Sequence, residues 1–333
     1  LTDAAAESLS TREGGLELNG LQNLTDAMAE SFGKSQLWLN LDGLKSLSDA
    51  AAASLSTHKG KLSLNGLTSL TDEAAASLST HKGELALNGL TSLTDEAAES
   101  LSAHTGEIHL NGLTTLSDTP AHLALAKKLG EGQGYRMGGG VSLDRLAHLS
   151  DAAAMCLSAN EGPFELNSLT SLPNTPGHIA LVDKLLRQST VKLNGVTNLS
   201  DAVAGRFSTH KGSLSLNGLK CLSDTAAASL STHEGSLSLN GLKSLSDAAA
   251  ASLSRHKHWL FLDGLTHLSD EAATYFRTHE GNISLTSLTN ISNTGANCLT
   301  HRHGGLVLVH WHNLPQSVAD ILRSNSLIKQ WAN

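Results

Sequence analysis

The sequence predicts an α/β solenoid, a stack of short coils each made of one strand, one turn and one helix. The first observation is a repeat. A sentence of the form L-x-L-N-G-L-x-x-L-[ST]-D-x-A-A-x-x-L-S-x-H-x-G-x runs through the chain, and successive copies begin at Leu16, Leu39, Leu62, Leu85 and Ile108, each 23 residues after the last. The series resumes at Val141 and Phe164, then at Val191, Leu214, Leu237, Leu260, Ile283 and Leu306. A fixed period of about 20 to 50 residues marks a solenoid, propeller or array. The second observation is composition. At 333 residues with 3% aromatic and 16% charged side chains, leucine and alanine must do the packing. That suits many small coils that each touch only their neighbours.

Each part of a coil has a physical reason, taken here from Leu62 to Glu84. Leu62-Ser63-Leu64 alternates apolar, polar, apolar, the period of a half-buried strand. Asn65-Gly66 predicts a turn, as a dipeptide that tolerates left-handed backbone. Leu67 and Leu70 follow at a spacing of three and are expected to point inward. Thr71-Asp72 reads as a helix start: a hydroxyl oxygen accepts from the free N–H groups of the first turn, and an aspartate suits the positive end of the dipole. Ala74, Ala75 and Leu78 form the buried stripe, and Gly83 is expected to end the helix. Stacked, the strands form a parallel sheet with right-handed crossovers. A helix is wider than a strand, so the sheet is expected on the concave face and the helices on the convex face.

With these residues in place, the repeat resembles a bacterial leucine-rich repeat, closest to the cysteine-containing class with L-x-L-x-x-C-x-x-I-T-D-x-x-L-x-x-L. Leu62, Leu64, Leu70, Thr71, Asp72, Ala75 and Leu78 fall in its slots, Leu67 stands for the usual Cys or Asn, and Lys59 falls where the family has a leading leucine. The resemblance recurs thirteen times and covers nearly the whole chain. It implies a single right-handed leucine-rich-repeat solenoid over 1–333 used for protein recognition, and it carries no catalytic residues to transfer. Within it 1–15 is a partial first repeat, 119–140 and 175–190 are enlarged repeats, and 306–333 is a C-terminal cap.

The formal net charge of −8, with an isoelectric point near 6.1, gives no basic stripe for nucleic acid. No apolar run reaches the roughly 20 residues needed to cross a bilayer. Cys156 and Cys298 fall in the helical slot of Ser77, Ser100 and Ser229. With Cys221 they read as small buried or half-buried substitutes, too few for a disulfide framework or zinc site. No nucleophile stands beside its own base and the Gly-x-Ser-x-Gly elbow is absent, so neither an enzyme nor a cofactor is expected.

Departures from the repeat point to function. Between Asp118 and Val141 ten extra residues carry a longer helix from Pro120 to Leu129 and a glycine-rich segment, Gly130 to Gly140. That segment follows a helix and opens a strand, the reverse of a phosphate-cradling loop. It reads as a protruding arm tipped by Tyr135, Arg136 and Met137. A second enlarged repeat echoes the first, with Thr175-Pro176-Gly177-His178 matching Thr119-Pro120-Ala121-His122. On the sheet, the slot before the first leucine becomes Trp38 and Trp259, each with an aspartate in the Asn slot, Asp42 and Asp263, and Phe261 beside Trp259. In so bland a row these are candidate partner anchors, because tryptophan dominates interface hot spots.

His58, His81 and His104 share one slot, as do His210, His233, His256 and His279. Stacking at about 5 Å is expected. Each row offers one ligand type, so a structural role is expected over metal, each ring meeting a helix C-terminus and turn carbonyls. The helix dipole raises a histidine pKa and a charged neighbour lowers it, which leaves the pH response open. At the C-terminus Pro315 opens a last helix before a polar tail. At Leu1 the chain opens in mid-repeat, so either more chain lies upstream or another subunit covers that end. The expected role is a non-enzymatic protein-recognition module; the alternative is a structural or scaffold subunit of a cell-surface layer or large assembly. A setting at the cell surface or outside the cell is favoured over cytoplasm.

Overall fold

A computed structural model describes the chain except residues 37, 132–140, 160–161, 303, 310–313, 325–327 and 331–333. It divides into two compact units, Leu1–Leu166 and Asn167–Asn333. Both are built as the α/β solenoid expected, with parallel strands pairing coil to coil and each helix packed on the next.

In the first unit a five-stranded parallel sheet runs Leu16–Glu17, Leu39–Asn40, Leu62–Ser63, Leu85–Ala86, Ile108–His109. Register is one repeat per step: Leu62 pairs with Leu85, and Leu85 with Ile108. In the second unit six strands follow the same rule from Thr190–Lys192 to Leu306–Leu308, and Ile328–Gln330 pairs beyond them as the seventh. The polar tail expected after the last helix, Gln316–Arg323, therefore contributes one more strand. The enlarged repeats add a second kind of pairing, Thr115–Leu116 with His148–Leu149 and Ser171–Leu172 with Asn198–Leu199, just ahead of their helices. Among the described residues no helix is long and apolar enough to cross a membrane.

The helices start as expected. Thr71 Oγ1 accepts from the Ala74 amide at 3.1 Å, and Ala74, Ala75 and Leu78 are fully buried. The same hydroxyl also donates to Asp49 one coil back, at 2.5 Å. Ser48 likewise donates to Asp26, Ser246 to Asp224, Ser269 to Asp247 and Ser292 to Asp270. The Ser/Thr-Asp dyad thus serves two coils: its hydroxyl caps its own helix, and its carboxylate receives the next coil's hydroxyl. In the enlarged repeats proline takes the first helical turn, and Thr119 and Thr175 each meet a histidine three residues on, His122 and His178, at 3.0 Å.

Several local expectations are corrected. Leu70 is half-buried, sitting at the edge of the coil just before the helix start. Cys156 and Cys298 are half-buried, but Cys221 is exposed in the turn segment, with its Sγ 3.7 Å from Asn198 Oδ1. The glycines serve close approach. Among the described residues the one glycine with positive φ is Gly14. The helix expected to end at Gly83 ends at Ser79 with Thr80 as its cap. A Cβ on Gly83 would stand 2.3 Å from the Gly60 carbonyl oxygen, and one on Gly66 2.0 Å from the Asp42 carbonyl oxygen. Both positions must lack a side chain because the preceding coil's backbone passes directly beneath.

Gly66→Ala is therefore expected to destabilise the first unit by about 2 kcal/mol or more, the cost of forcing apart packed backbone. Urea unfolding followed by circular dichroism measures it. A substitution within 0.5 kcal/mol of the parent would show that the coils separate easily.

Candidate functional site

The surface rows of the sheet are set by strand geometry. Residues before and after the first buried leucine lie two apart and so project to the same side. Much of this side is engaged internally. Asp42 Oδ1 accepts from the Asn65 amide at 2.8 Å and from Ser63 Oγ at 2.7 Å. Asn65 Oδ1 accepts from the Asn88 amide, and Asn88 Oδ1 from the Asn111 amide. The second unit repeats this through Asn194, Asn217 and Asn240, ending with Asp263 Oδ1, which accepts from the Thr286 amide at 3.1 Å and from Ser284 Oγ at 2.5 Å. The Asn slot, read from sequence as a turn former, is a side-chain ladder between coils. Asp42 and Asp263 fit it because each bond needs only an accepting oxygen.

Trp259 and Phe261 come together. Their ring centroids are 5.1 Å apart with planes 12° from parallel, and Trp259 is 37% exposed. Asp263 lies two residues on, its carboxylate turned to the next coil. Trp38 and Asp42 belong to the other unit. Trp38 is 41% exposed, and its indole lies over Gly15, where a Cβ would come within 1.9 Å of the ring. Gly15 occupies the slot of Trp38 one coil earlier, so the tryptophan covers bare backbone as well as facing solvent. Tyr135, Arg136 and Met137 lie outside the described residues.

Two groups go beyond the sequence reading, which noted only His258 beside Trp259. The first is lined by residues that precede Trp259 in the chain. A cavity of about 400 Å³ is lined by Ser231, Thr232, Glu234, Arg255, Lys257 and His258, among others. Arg255 and His258 stand where most other copies have a small residue and glycine, so the basic rim was legible as a local departure next to Trp259. The second is on the sheet of the first unit. His109 Nε2 is 3.1 Å from Glu84 Oε1 and 3.4 Å from Glu107 Oε1, and Lys61 Nζ is 2.5 Å from Glu84 Oε1. Among the described residues this trio is the one group of three metal-ligating side chains whose ligand atoms all lie within 4.8 Å of one another. Its signal is a carboxylate and a histidine two apart, with a second carboxylate one repeat upstream.

The histidine rows are buried stacks. Centroids in successive coils are 6.0 and 6.1 Å apart in the first unit and 5.5, 5.9 and 6.2 Å in the second, somewhat wider than the strand spacing. Bonds run to the preceding coil: His104 Nδ1 to the Ser79 carbonyl at 3.2 Å, His210 Nδ1 to Leu186 at 3.2 Å, His279 Nδ1 to Ser254 at 3.3 Å. The expectation that every ring is so satisfied fails at His81, His233 and His256, whose buried ring nitrogens have no hydrogen bond of good geometry. Arg302 closes the second row in the same slot, donating to the Phe276 and Gly281 carbonyls. Burial first, then the neighbours His58 and His104, lowers the His81 pKa to about 4, partly offset by the carbonyls of Gly83 and Gly60. Burial, then His233, His279 and His258, lowers His256 to about 4. Burial is also the first cause of the lowered values of His104, His233 and His279.

No family model and no curated protein matches the chain. Among solved structures an internalin from Listeria monocytogenes is similar over 100% of this chain and 90% of that chain, at 15% identity and a TM-score of 0.44. A likeness at that level carries no argument, and the functional reading rests on the residues above.

Two predictions follow from the ladders and stacks. Asp42→Asn is expected to cost up to about 1 kcal/mol, the bond from Asn65 Nδ2 to the second oxygen, and Asp42→Leu about 1–3 kcal/mol, because only the latter also removes the acceptor from a half-buried amide; thermal melts of both variants decide it. For His81, His104, His233, His256 and His279 the folded pKa lies below the unfolded value of about 6.5, so the unfolded chain takes up protons first. Their stabilisation is complete above pH 6.5 and is lost as pH falls toward 4. By pH 5 the loss is about 2 kcal/mol for each of His81 and His256. A melting temperature at least about 5 °C lower at pH 5 than at pH 7.5 is expected, and an unchanged one would contradict the stacks' neutrality.

Proposed function

We propose that the chain is a non-enzymatic recognition module that binds a partner protein through its sheet face, centred on Trp259 and Phe261. One observation carries the reading: two large aromatic rings stack in the open on a face otherwise made mostly of serine, alanine and asparagine. An exposed aromatic pair of this kind gives a partner a rigid apolar anchor at low entropic cost, the usual character of an interface hot spot. Arg255, Lys257 and His258, which precede Trp259 in the chain and line a cavity, suit a partner that presents an apolar side chain flanked by carboxylates. Trp38, with Asp42 in the turn behind it, offers a second contact in the first unit, and the glycine-rich arm carrying Tyr135, Arg136 and Met137 a third. The cysteine-containing leucine-rich-repeat class and a place at the cell surface or outside the cell belong to the same reading.

A second reading is favoured by a different observation. Ser63, Ser215, Ser238 and Ser284 give their hydroxyls to the Asn/Asp ladder, so much of the sheet face offers a partner little unengaged polarity. That bland surface, with near-duplicate coils, suits a structural or scaffold subunit of a surface layer or large assembly.

Selection of displayed peptides against the immobilised chain separates the two. Recognition predicts enriched sequences that pair an aromatic with acidic residues, and a loss of at least tenfold in affinity, about 1.4 kcal/mol, on substituting Trp259→Ala and Phe261→Ala together. No enrichment, or binders indifferent to the double substitution, would overturn the site.

A further inference from the structure

We propose that Glu84, Glu107 and His109 form a binding site for a divalent first-row transition-metal ion on the sheet face of the first unit. Strand geometry brings the three side chains to one spot. Glu107 and His109 lie two apart across Ile108 and share a face, while Glu84 occupies the slot of Glu107 one coil earlier, as the pairing of Leu85 with Ile108 requires. The register partner of His109 is Ala86, whose methyl leaves space above its strand. The imidazole leans across that space, which is how Nε2 comes within 3.1 Å of Glu84 while staying 3.4 Å from Glu107.

These separations match a common metal centre. Oxygen and nitrogen ligands held about 2.1 Å from one ion at angles between octahedral and tetrahedral stand about 3.0–3.4 Å apart. Two of the three pairs already do so, and the carboxylate pair lies within 4.8 Å, a gap that a side-chain rotation closes. The donor set selects the ion class. An imidazole nitrogen with two carboxylate oxygens suits zinc, manganese, iron, cobalt or nickel, whereas magnesium and calcium take oxygen alone. Three protein ligands leave coordination positions for water, and the side chains' exposures of 28%, 42% and 31% for Glu84, Glu107 and His109 give water access.

Charge argues the same way. Carboxylates in the same slot of adjacent strands repel. Lys61 Nζ, 2.5 Å from the Glu84 oxygen that His109 also meets, offsets one charge, and an ion bound there displaces this ammonium and takes its place. The combination is local to this coil. The row of His109 holds Ser63, Ala86, Ser215, Ser238 and Ser284 in other coils, and none of them offers an imidazole.

The competing account is an ion-pair network closed by a protonated His109 and indifferent to metals. Calorimetric titration of the chelator-stripped chain with Zn2+ at pH 7.5 distinguishes them. The expected result is a site weakened at least tenfold by His109→Ala and by Glu107→Gln, unaffected by the distant His301→Ala, and not displaced by excess Mg2+. Circular dichroism checks that each variant keeps an intact fold. Absence of Zn2+ binding in the parent chain, or equal affinity in the parent and His109→Ala, would overturn the proposal.

Discussion

Within each sheet the paired strands stand one strand spacing, about 4.8 Å, apart, and the rest of the structure depends on that interval. A 23-residue coil cannot bury its leucines alone; it does so only against another coil. Holding strand and turn at this distance leaves no room for a Cβ at Gly66 or Gly83, where the preceding backbone oxygen would stand 2.0 and 2.3 Å away. It also demands small residues between the helices, which Ala74 and Ala75 supply, both fully buried. The composition of the chain, poor in aromatics and rich in alanine and glycine, follows from the spacing.

The same interval turns single polar residues into ladders. A buried or half-buried polar group is costly unless paired, and a partner one coil away is always at hand. On the sheet side the Asn/Asp oxygen takes the next coil's amide, and on the helix side the Asp carboxylate takes the next coil's Ser or Thr hydroxyl. Each bond contributes about 1 kcal/mol, and the bonds recur coil after coil. The histidines obey the same geometry with a different result. Burial and charged stacked neighbours outweigh the carbonyls around His81, His233 and His256, so these rings are held neutral.

Sequence periodicity reveals where a residue lies within its coil. The strand at Leu62, the cap at Thr71, the buried stripe of Ala74, Ala75 and Leu78, and the shared slot of His58, His81 and His104 were all legible for that reason. What periodicity hides is the partner in the next coil. Asn65-Gly66 forms the turn expected, without left-handed backbone at the glycine, and in addition Gly66 is a point of backbone contact and Asn65 a rung. The cluster of Glu84, Glu107 and His109 escaped notice because its members sit in two coils and in two different slots. Phe261 and Trp259 were legible because both belong to one strand, two residues apart.

That division also locates function. Positions facing the neighbouring coil are constrained by the ladders and the close backbone approach, so a change there disturbs two coils at once. The slots on either side of the first leucine face outward, and their side chains can change without moving a coil. They hold Trp259 and Phe261 in one unit, and Glu84, Glu107 and His109 in the other. Serine in the second of these slots shows the default state, its hydroxyl folded back onto the ladder, as Ser63 does onto Asp42. Replacing that serine with Phe261 or His109 removes an internal hydrogen bond donor and places a ring or ligand on the surface. The exchange gives up about 1 kcal/mol of coil-to-coil bonding. Where this slot is serine the hydroxyl stays on the ladder, so surface chemistry is gained one coil at a time, as at Phe261 and His109, each at the cost of one such bond.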